Sequence, residues 1–290
     1  MTVWNLGSIN ADMVYAVPHL LGPGETLAAM GYDRFLGGKG ANMSVAAARA
    51  AAHVAHIGAV GPDGLWARDR LTEYGVDTRF VAQVNDVTGH AIIAVAADGE
   101  NNIILHPGAN RAIPHDCLGQ ALSQASPGDW FIMQNETSLQ IHAAEMACDL
   151  GLKVAYAAAP FDAVAVKAVL PMLDLLFLNE VEAFQLAEAT GQSAEALPVE
   201  DVIVTLGAKG ARHISKTAGS VAYSAYKVDP VDTTGAGDTF TGYVLAGLDR
   251  GLPMGQAIGQ AMTAAAIMVT RHGTADVIPD LRDVQDARLT

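Results

Sequence analysis

The chain has 290 residues, of which 51% are hydrophobic and 17% are charged, and its formal net charge at pH 7 is −14. This length and apolar content are sufficient for a large, well-packed domain. The negative charge, without any run of basic residues, argues against nucleic acid or an anionic membrane surface as a partner, because neither would find cations to neutralise its phosphates.

Short apolar runs predict buried parallel strands that alternate with helices along the chain. We predict strands at residues 3–6, 54–57, 130–133, 154–157, 175–178 and 202–205. We predict helices at residues 41–52, 65–74, 139–150, 161–170, 181–188, 236–248 and 254–270. The alternation indicates a doubly wound α/β fold with a mainly parallel sheet flanked by helices, whose ligands lie at the carboxyl ends of the strands. No internal repeat or linker interrupts it, so we expect one domain over residues 1–290.

Two stretches break the alternation, at about residues 11–36 and 88–107, and both have the pattern of strands. Residues 90–96 and 101–106 flank an Asp98-Gly99 turn, which predicts a β-hairpin. These stretches therefore predict a small second β-sheet outside the main one.

The chain carries no sign of export or of a structural metal. Cys117 and Cys148 lie in apolar, helix-like stretches, and two cysteines make no disulfide framework, so we expect both to be reduced residues of the core. His53 and His56 lie in or beside a buried strand without metal-ligand spacing. No signal peptide or membrane-spanning run is present, and we expect a cytoplasmic protein.

A glycine-rich turn precedes the helix predicted at 236–248. Gly235, Ala236 and Gly237 have little or no side chain, so their N–H groups can approach an anion at the positive end of the helix. Asp238 follows and can take a proton from an alcohol. This combination is what phosphoryl transfer to a hydroxyl requires. Glycine turns before helices are also common as purely structural features, and no P-loop motif (Gly, four residues, Gly-Lys-Ser/Thr) is present.

Two further motifs lie near the N-terminus, Gly7-Ser8-Ile9-Asn10-Ala11-Asp12 after a strand and Gly37-Gly38-Lys39-Gly40-Ala41-Asn42 before a helix. In isolation Asp12 is a good turn former and Asn42 a good helix cap. Together with the turn at 235–238, the motifs resemble the PfkB family of carbohydrate kinases from residue 7 to residue 279. The resemblance implies a ribokinase-like fold in which 11–36 and 88–107 form a lid over the sugar and join two subunits into a homodimer.

The same resemblance implies an ATP-dependent sugar kinase with ribose as its substrate. Asp238 would be the catalytic base, with Gly235, Ala236 and Gly237 forming the anion hole. The residues that would bind the sugar are Asn10, Asp12, Gly38, Lys39, Asn42 and Glu136.

On the nucleotide side, the resemblance assigns ATP contacts to Asn179, Thr205, Gly207, Gly210 and Gly237. A plain turn explains the glycines at 207 and 210 equally well. Asn179 and Glu182 would serve Mg²⁺ through water, although their spacing is also that of a helix capping box.

The family resemblance further implies a monovalent cation, K⁺, behind the anion hole. Its ligands would be Asp232 and the carbonyl groups of Thr234, Met268, Arg271 and Gly273. Val277 stands where such kinases often have a serine hydroxyl, which weakens the expected cation site.

Two other departures concern the nucleotide half. Residues 157–160 read Ala-Ala-Ala-Pro and lack the asparagine that the family pattern has there. The stretch 183–201 is short, and we expect a loop at 191–200 that leaves one face of the sheet partly uncovered.

Other activities within the family remain as alternatives, namely kinases for a nucleoside, fructose or a keto-deoxy sugar acid. Residues 90–106 contain no Phe, Tyr or Trp to stack on a base, which argues against a nucleoside. A non-catalytic sugar-binding regulator is a further alternative, but such a protein would have no need of Asp238.

Overall fold

The computed structural model describes residues 1–289, and within them thirteen strands and nine α-helices are formed. The strands are β1 (Thr2–Leu6), β2 (Asn10–Val17), β3 (Gly31–Gly37), β4 (His53–Val60), β5 (Asp77–Gln83), β6 (Gly89–Ala96), β7 (Asn101–His106), β8 (Trp130–Gln134), β9 (Lys153–Ala157), β10 (Leu175–Asn179), β11 (Asp201–Thr205), β12 (Ala211–Ser215) and β13 (Gly219–Tyr223). The helices are α1 (Lys39–Arg49), α2 (Leu65–Glu73), α3 (His115–Leu122), α4 (Gln140–Asp149), α5 (Ala163–Val169), α6 (Glu180–Thr190), α7 (Ala236–Asp249), α8 (Met254–Met268) and α9 (Leu281–Asp286).

Nine strands form the large sheet, in the order β13-β12-β11-β10-β9-β8-β1-β4-β5. Its neighbours from β11 to β5 run parallel, whereas β12 and β13 form an antiparallel extension. The predicted α/β fold with a mainly parallel sheet is therefore confirmed. The strands β5, β12 and β13 were not predicted, because they are short or mix polar with apolar residues, and β13 is an almost wholly exposed edge.

Each face of the large sheet has its own hydrophobic core. On one face, apolar side chains of α1, α2, α7 and α8 pack together against the sheet. On the other face, the core is built from α3, α4, α5 and α6. Two-sided burial explains why the central strands have nearly continuous apolar sequences rather than alternating ones.

The short stretch 183–201 contains a longer helix than predicted, because α6 extends to Thr190 and ends at Gly191 in the left-handed conformation (φ 70°). Leu197 and Val199 of the following loop are 3% and 2% exposed and pack in the same core as β11. The loop thus covers the sheet face that the sequence led us to expect partly open.

The small sheet has the order β3-β2-β6-β7 and stands outside the large one. β2 pairs with β3 antiparallel and with β6 in parallel, and β6 pairs with β7 across the expected hairpin. β2 follows β1 after only three residues, and α1 follows β3 almost directly. The small sheet is therefore attached at the carboxyl end of β1, where ligands of such folds bind.

Both Cys117 and Cys148 are free thiols, but the prediction that they lie in the core is wrong, because Cys117 is only half-buried and Cys148 is exposed. No helix among residues 1–289 combines the length and the apolar character needed to cross a membrane.

Candidate active site

Two glycines let the N-terminal motifs touch. A Cβ at Gly7 would lie 2.6 Å from the Cα of Gly40, so neither position has room for a side chain. Gly38 has φ 93°, a conformation that L side chains rarely adopt, and this turns the chain from β3 into α1. The close approach brings the end of β1 and the start of α1 side by side.

The carboxylate of Asp12 lies directly over Gly37, where any Cβ would overlap it. Burial, together with the nearby charges of Glu136 and Asp238, raises the pKa of Asp12 to about 7. Asp12 therefore belongs to a group of carboxylates rather than acting only as a turn former.

Glu136 is held by both N-terminal motifs. Its Oε2 accepts hydrogen bonds from the fully buried hydroxyl of Ser8 and from the backbone N–H of Lys39 (3.2 Å). Ser8 Oγ in turn accepts a bond from Gly40 N (3.2 Å). Burial raises the pKa of Glu136, while the Ser8 bond and the positive charge of Lys39 act against that shift. Ser8 was not predicted as a site residue, although it lies inside the recognised motif.

Asn10 has a buried partner that the sequence did not reveal. Asn110 donates from Nδ2 to Asn10 Oδ1 (2.8 Å) and accepts from Ile9 N through Oδ1 (2.9 Å). The sequence offered one indication of a role for Asn110, because Gly108-Ala109-Asn110 repeats the tripeptide Gly40-Ala41-Asn42. Asn110 fixes the orientation of the Asn10 amide.

Asp238 lies in the first turn of α7 and is 8% exposed. Asn42 donates from Nδ2 to Asp238 Oδ2 (2.9 Å), so Asn42 contacts the acid instead of capping α1. Burial raises the pKa of Asp238, against the opposing effects of Lys39 and the Asn42 bond. The pKa of Lys39 is itself raised, chiefly by Asp238. A cationic Lys39 thus stands beside the carboxylates of Asp238 and Glu136, and Asp12 is near enough to these two acids to be affected by their charges.

The turn before α7 offers unpaired backbone donors. Gly235 has φ 76°, and a Cβ there would lie 3.0 Å from the Cε of Met268. A Cβ at Gly237 would meet nothing within 4 Å, so this side of the turn is open. Among residues 1–289, no acceptor contacts the N–H groups of Gly237 or Asp238. With the adjacent N–H of Ala236, which bonds Thr233 O at 3.3 Å, the turn can receive an anion.

A largely apolar cleft of about 370 Å³ begins at this turn. Thr205, Gly207, Gly210 and Gly237, which were predicted to contact ATP, all line it, whereas Asn179 does not. The remaining lining residues are Ala208, Ala225, Tyr226, Val228, Pro230, Thr233, Ala236, Phe240, Met262, Ala265, Ala266 and Val269. The cleft has the size and character of a small-molecule site, with one end at the anion-receiving turn.

Asn179 and Glu182 form the capping box of α6. Glu182 N donates to Asn179 Oδ1 and Asn179 N donates to Glu182 Oε2, both at 2.8 Å. Burial raises the pKa of Glu182, and the charges of Lys39 and Asp238 also act on it. The pair therefore caps α6, and Glu182 is also close enough to Lys39 and Asp238 for their charges to affect its pKa.

The segments expected to hold a monovalent cation are adjacent. Asp232 accepts from Thr234 N (2.9 Å) and from Gly273 N (3.3 Å), and the Met268 carbonyl accepts from Arg271 N (3.0 Å). The side chain of Val277 lies 3.4 Å from where a Cβ of Gly273 would be. Over residues 1–289 there is no group of three or more His, Cys, Asp or Glu side chains arranged to hold a metal.

Comparison with known proteins gives consistent similarity along the chain. A family model described as "pfkB family carbohydrate kinase" matches residues 2–281. Ribokinase from Haemophilus influenzae is 38% identical over 293 residues, covering 96% of this chain and 95% of the relative. The ribokinase structure from Cryptococcus neoformans var. grubii in complex with ADP has a TM-score of 0.83 at 32% identity and covers 98% of both chains. Arabidopsis thaliana ribokinase, complexed with ribose and ATP, has a TM-score of 0.86 at 28% identity and covers 98% of this chain and 97% of that one.

Proposed function

The chain belongs to the pfkB family of carbohydrate kinases, which are phosphotransferases acting on a hydroxyl group, and on that premise we propose that it converts D-ribose and ATP into ribose 5-phosphate and ADP. One observation carries the proposal for this chain. The buried Asp238 carboxylate, the unpaired N–H groups of Gly237 and Asp238, and the end of the apolar cleft meet at a single point.

The chemistry follows from this arrangement. Asp238 accepts the proton of the attacking hydroxyl, and Asn42 orients its carboxylate by the 2.9 Å hydrogen bond. The N–H groups at 235–238 stabilise the charge on the transferred phosphoryl group. Lys39 lies beside Asp238 and adds a positive charge on the sugar side. ATP occupies the cleft bordered by Thr205, Gly207 and Gly210.

The sugar hydroxyls bind to the polar group at the ends of β1, β3 and β8. Asp12, Glu136 and Asn10 supply acceptors, with Lys39 and Asn42 as donors, while Gly38 allows close approach of the backbone. Such buried groups discriminate strongly against a sugar that lacks one of these hydroxyls, because a buried polar group left unpaired costs roughly 1–3 kcal/mol.

We further propose two ions. Mg²⁺, held through water by Glu182 and Asn179, would neutralise charge on the ATP phosphates; one carboxylate oxygen of Glu182 binds Asn179 N, which leaves the other available. K⁺ would bind at Asp232 and the carbonyls of Thr234, Met268, Arg271 and Gly273. Both Asp232 oxygens already accept backbone N–H groups, so this site is weak, and Val277→Ser should increase activation by K⁺ relative to a choline control.

The proposal includes a cytoplasmic location and a homodimer joined through the small sheet, with 1–290 acting as one kinase domain. The apolar side chains exposed on that sheet support the dimer: Ile92, Ile103, Ile104 and Leu105 are 40–68% exposed.

The test is a coupled ADP-release assay with ATP·Mg²⁺ on ribose, 2-deoxyribose, fructose, adenosine and a keto-deoxy sugar acid. Ribose should give the highest kcat/KM. Asp12→Ala should lower kcat/KM for ribose by a factor that corresponds to roughly 2–4 kcal/mol while leaving basal ATP hydrolysis nearly unchanged. Asp33→Ala is the matched control, since Asp33 is an exposed aspartate on the same small sheet.

If adenosine, fructose or the sugar acid exceeds ribose by tenfold or more, ribose is not the substrate and the kinase class alone stands. If ribose binds but no sugar releases ADP, the chain is a binding protein on a kinase fold.

A further inference from the structure

A chain of buried polar side chains lies directly beneath the sugar-side motifs. Gln134 Nε2 donates to Asn5 Oδ1 (2.9 Å), and Asn5 Nδ2 donates to Ser44 Oγ (2.8 Å). Ser44 Oγ pairs with His56 Nδ1 (2.8 Å), and His56 Nε2 pairs with the carbonyl of Gly7 (3.0 Å). None of the four side chains is more than 1% exposed.

The hydrogen-bond directions along this chain are determined by its last member. The Gly7 carbonyl can only accept, so His56 carries its proton on Nε2, and its Nδ1 must accept from the Ser44 hydroxyl. Burial lowers the pKa of His56 to about 4, which keeps the ring neutral at physiological pH. The donors therefore all point one way, from Gln134 towards Gly7.

The chain connects the segments that carry the proposed sugar ligands. Asn5 Nδ2 also donates to the Gly40 carbonyl (2.8 Å), so the chain reaches both glycines that touch at the base of the site. Gly7 precedes Ser8, which binds Glu136, and Gln134 lies two residues before Glu136. Elements β1, β4, β8 and α1 each contribute one member.

Such a chain is an unusual choice for stability alone. A core filled with apolar side chains of similar shape is as stable as a satisfied polar network, or more so, because burying polar groups forfeits their hydration. A directional network does offer fixed geometry. We propose that Gln134, Asn5, Ser44 and His56 are positioning residues that hold Gly7–Ser8 and Gly40 where Glu136 binds the sugar.

This positioning role rests on the proposed sugar kinase function, but one measurement in its test, amide hydrogen exchange, does not depend on kinase activity. In the double variant Ser44→Ala/His56→Phe, both partners of the central bond become apolar. Its thermal midpoint should fall by several degrees while the protein stays folded, because one Asn5 amide hydrogen and the Gly7 carbonyl each lose a buried partner. The KM for ribose should rise about tenfold, with the KM for ATP within twofold. Amide hydrogen exchange at residues 7–10 and 38–42 should be faster, with or without substrate.

Two single variants at His56 distinguish the contribution of its Nε2 hydrogen bond from that of its Nδ1 hydrogen bond. Glutamine places its amide nitrogen near the Nε2 position and can still donate to the Gly7 carbonyl, whereas asparagine reaches only the Nδ1 position. His56→Gln should therefore retain the wild-type ribose KM better than His56→Asn. His213→Phe is the control: it removes another buried histidine contact, to Asp201 (2.6 Å) at the far side of the sheet, and should leave the ribose KM unchanged.

A normal ribose KM together with unchanged exchange in the double variant would overturn the proposal, and so would equal behaviour of the glutamine and asparagine variants. If the wild type phosphorylates no sugar, the proposed function fails, and the exchange rates alone decide whether the network fixes these segments.

Discussion

At the scale of single residues, the site is dominated by three carboxylates gathered around one cation. Burial raises the pKa values of Asp12, Glu136 and Asp238, and repulsion from neighbouring acids adds to the shift at Asp12 and Glu136. Lys39 opposes the shift at Glu136 and Asp238. With its pKa raised to about 7, Asp12 exchanges its proton close to neutral pH. Removing one carboxylate should relieve repulsion among the acids, which favours stability, and should also remove a ligand of the sugar, which lowers activity. The two effects can be told apart by measuring unfolding and kinetics separately.

Asp238→Asn should lower kcat by roughly 10²–10⁴-fold with only a modest change in the ribose KM, because the amide still fills the site but takes no proton. Steady-state kinetics on ribose with ATP·Mg²⁺ measure this. Asp249→Asn is a matched control: Asp249 is equally 8% exposed, lies in the same helix α7, and is distant from the turn. Near-normal kcat in Asp238→Asn would exclude it as the base.

The kcat/KM for ribose should rise about tenfold between pH 6 and pH 8. The pKa of Asp12 in the sugar-free protein is raised to about 7, and its ionised form is the better acceptor for sugar hydroxyls, so binding improves as pH rises through that pKa. In Asp12→Asn the rise should be much shallower. An equally steep profile in that variant would assign the titration to Glu136 or Asp238 instead.

At the scale of elements, two helix N-termini have different tasks. α7 begins with a glycine turn, and the N–H groups of Gly237 and Asp238 in its first turn lack protein acceptors, whereas α6 begins with a capping box that pairs its first N–H groups. An uncapped start is suited to an anion, and a capped start is suited to stability. In our proposal Glu182 both caps α6 and serves Mg²⁺. One of its oxygens accepts the capping hydrogen bond, and the charges of Lys39 and Asp238 act on its carboxylate.

Glu182→Gln should raise the Mg²⁺ concentration for half-maximal rate while costing little in the free energy of unfolding, because glutamine can still complete a capping box. Titration of Mg²⁺ at fixed ATP, with thermal unfolding in parallel, measures both. Glu180→Gln is the control, since Glu180 shares the first turn of α6 but pairs with Lys209 at 3.2 Å. An unchanged Mg²⁺ requirement would leave Glu182 as a capping residue alone.

At the scale of the whole molecule, the small sheet has two open edges, β3 and β7, and it carries exposed apolar residues. β7 is exposed along its whole length and contains three consecutive large apolar residues. Exposed edge strands of this kind pair with other chains unless something covers them. A second copy of the chain is the cover that we propose.

The protein should therefore sediment at twice the 30.1 kDa monomer mass at micromolar concentration. Ile104→Lys should weaken this dimer, because Ile104 is 68% exposed and pairs opposite Ile92. The register places Asp12 opposite Ala91, and hence on the other face of the sheet from Ile92, so the substitution does not touch the proposed sugar ligands directly. A monomeric wild type would contradict the prediction.

The sequence by itself determined the elements whose cause is local. Apolar runs predicted the central strands, turn chemistry predicted the hairpin of the small sheet, and Asn179 with Glu182 predicted a capping box, because each pattern acts over a few residues. Strands β12 and β13 were missed because each has only five residues and mixes polar with apolar ones.

Only the tertiary structure decided which polar groups meet. Asn42 bonds Asp238 across 196 positions of sequence and Asn110 bonds Asn10 across 100, and no periodicity encodes either contact. The close approach of Gly7 to Gly40, which underlies both motifs, is likewise a product of how α1 packs against β1. Local patterns specify the backbone that each segment prefers. The carboxylate group near Lys39 exists only because the fold brings β2 of the small sheet to the ends of β8, α1 and α7 at one edge of the large sheet.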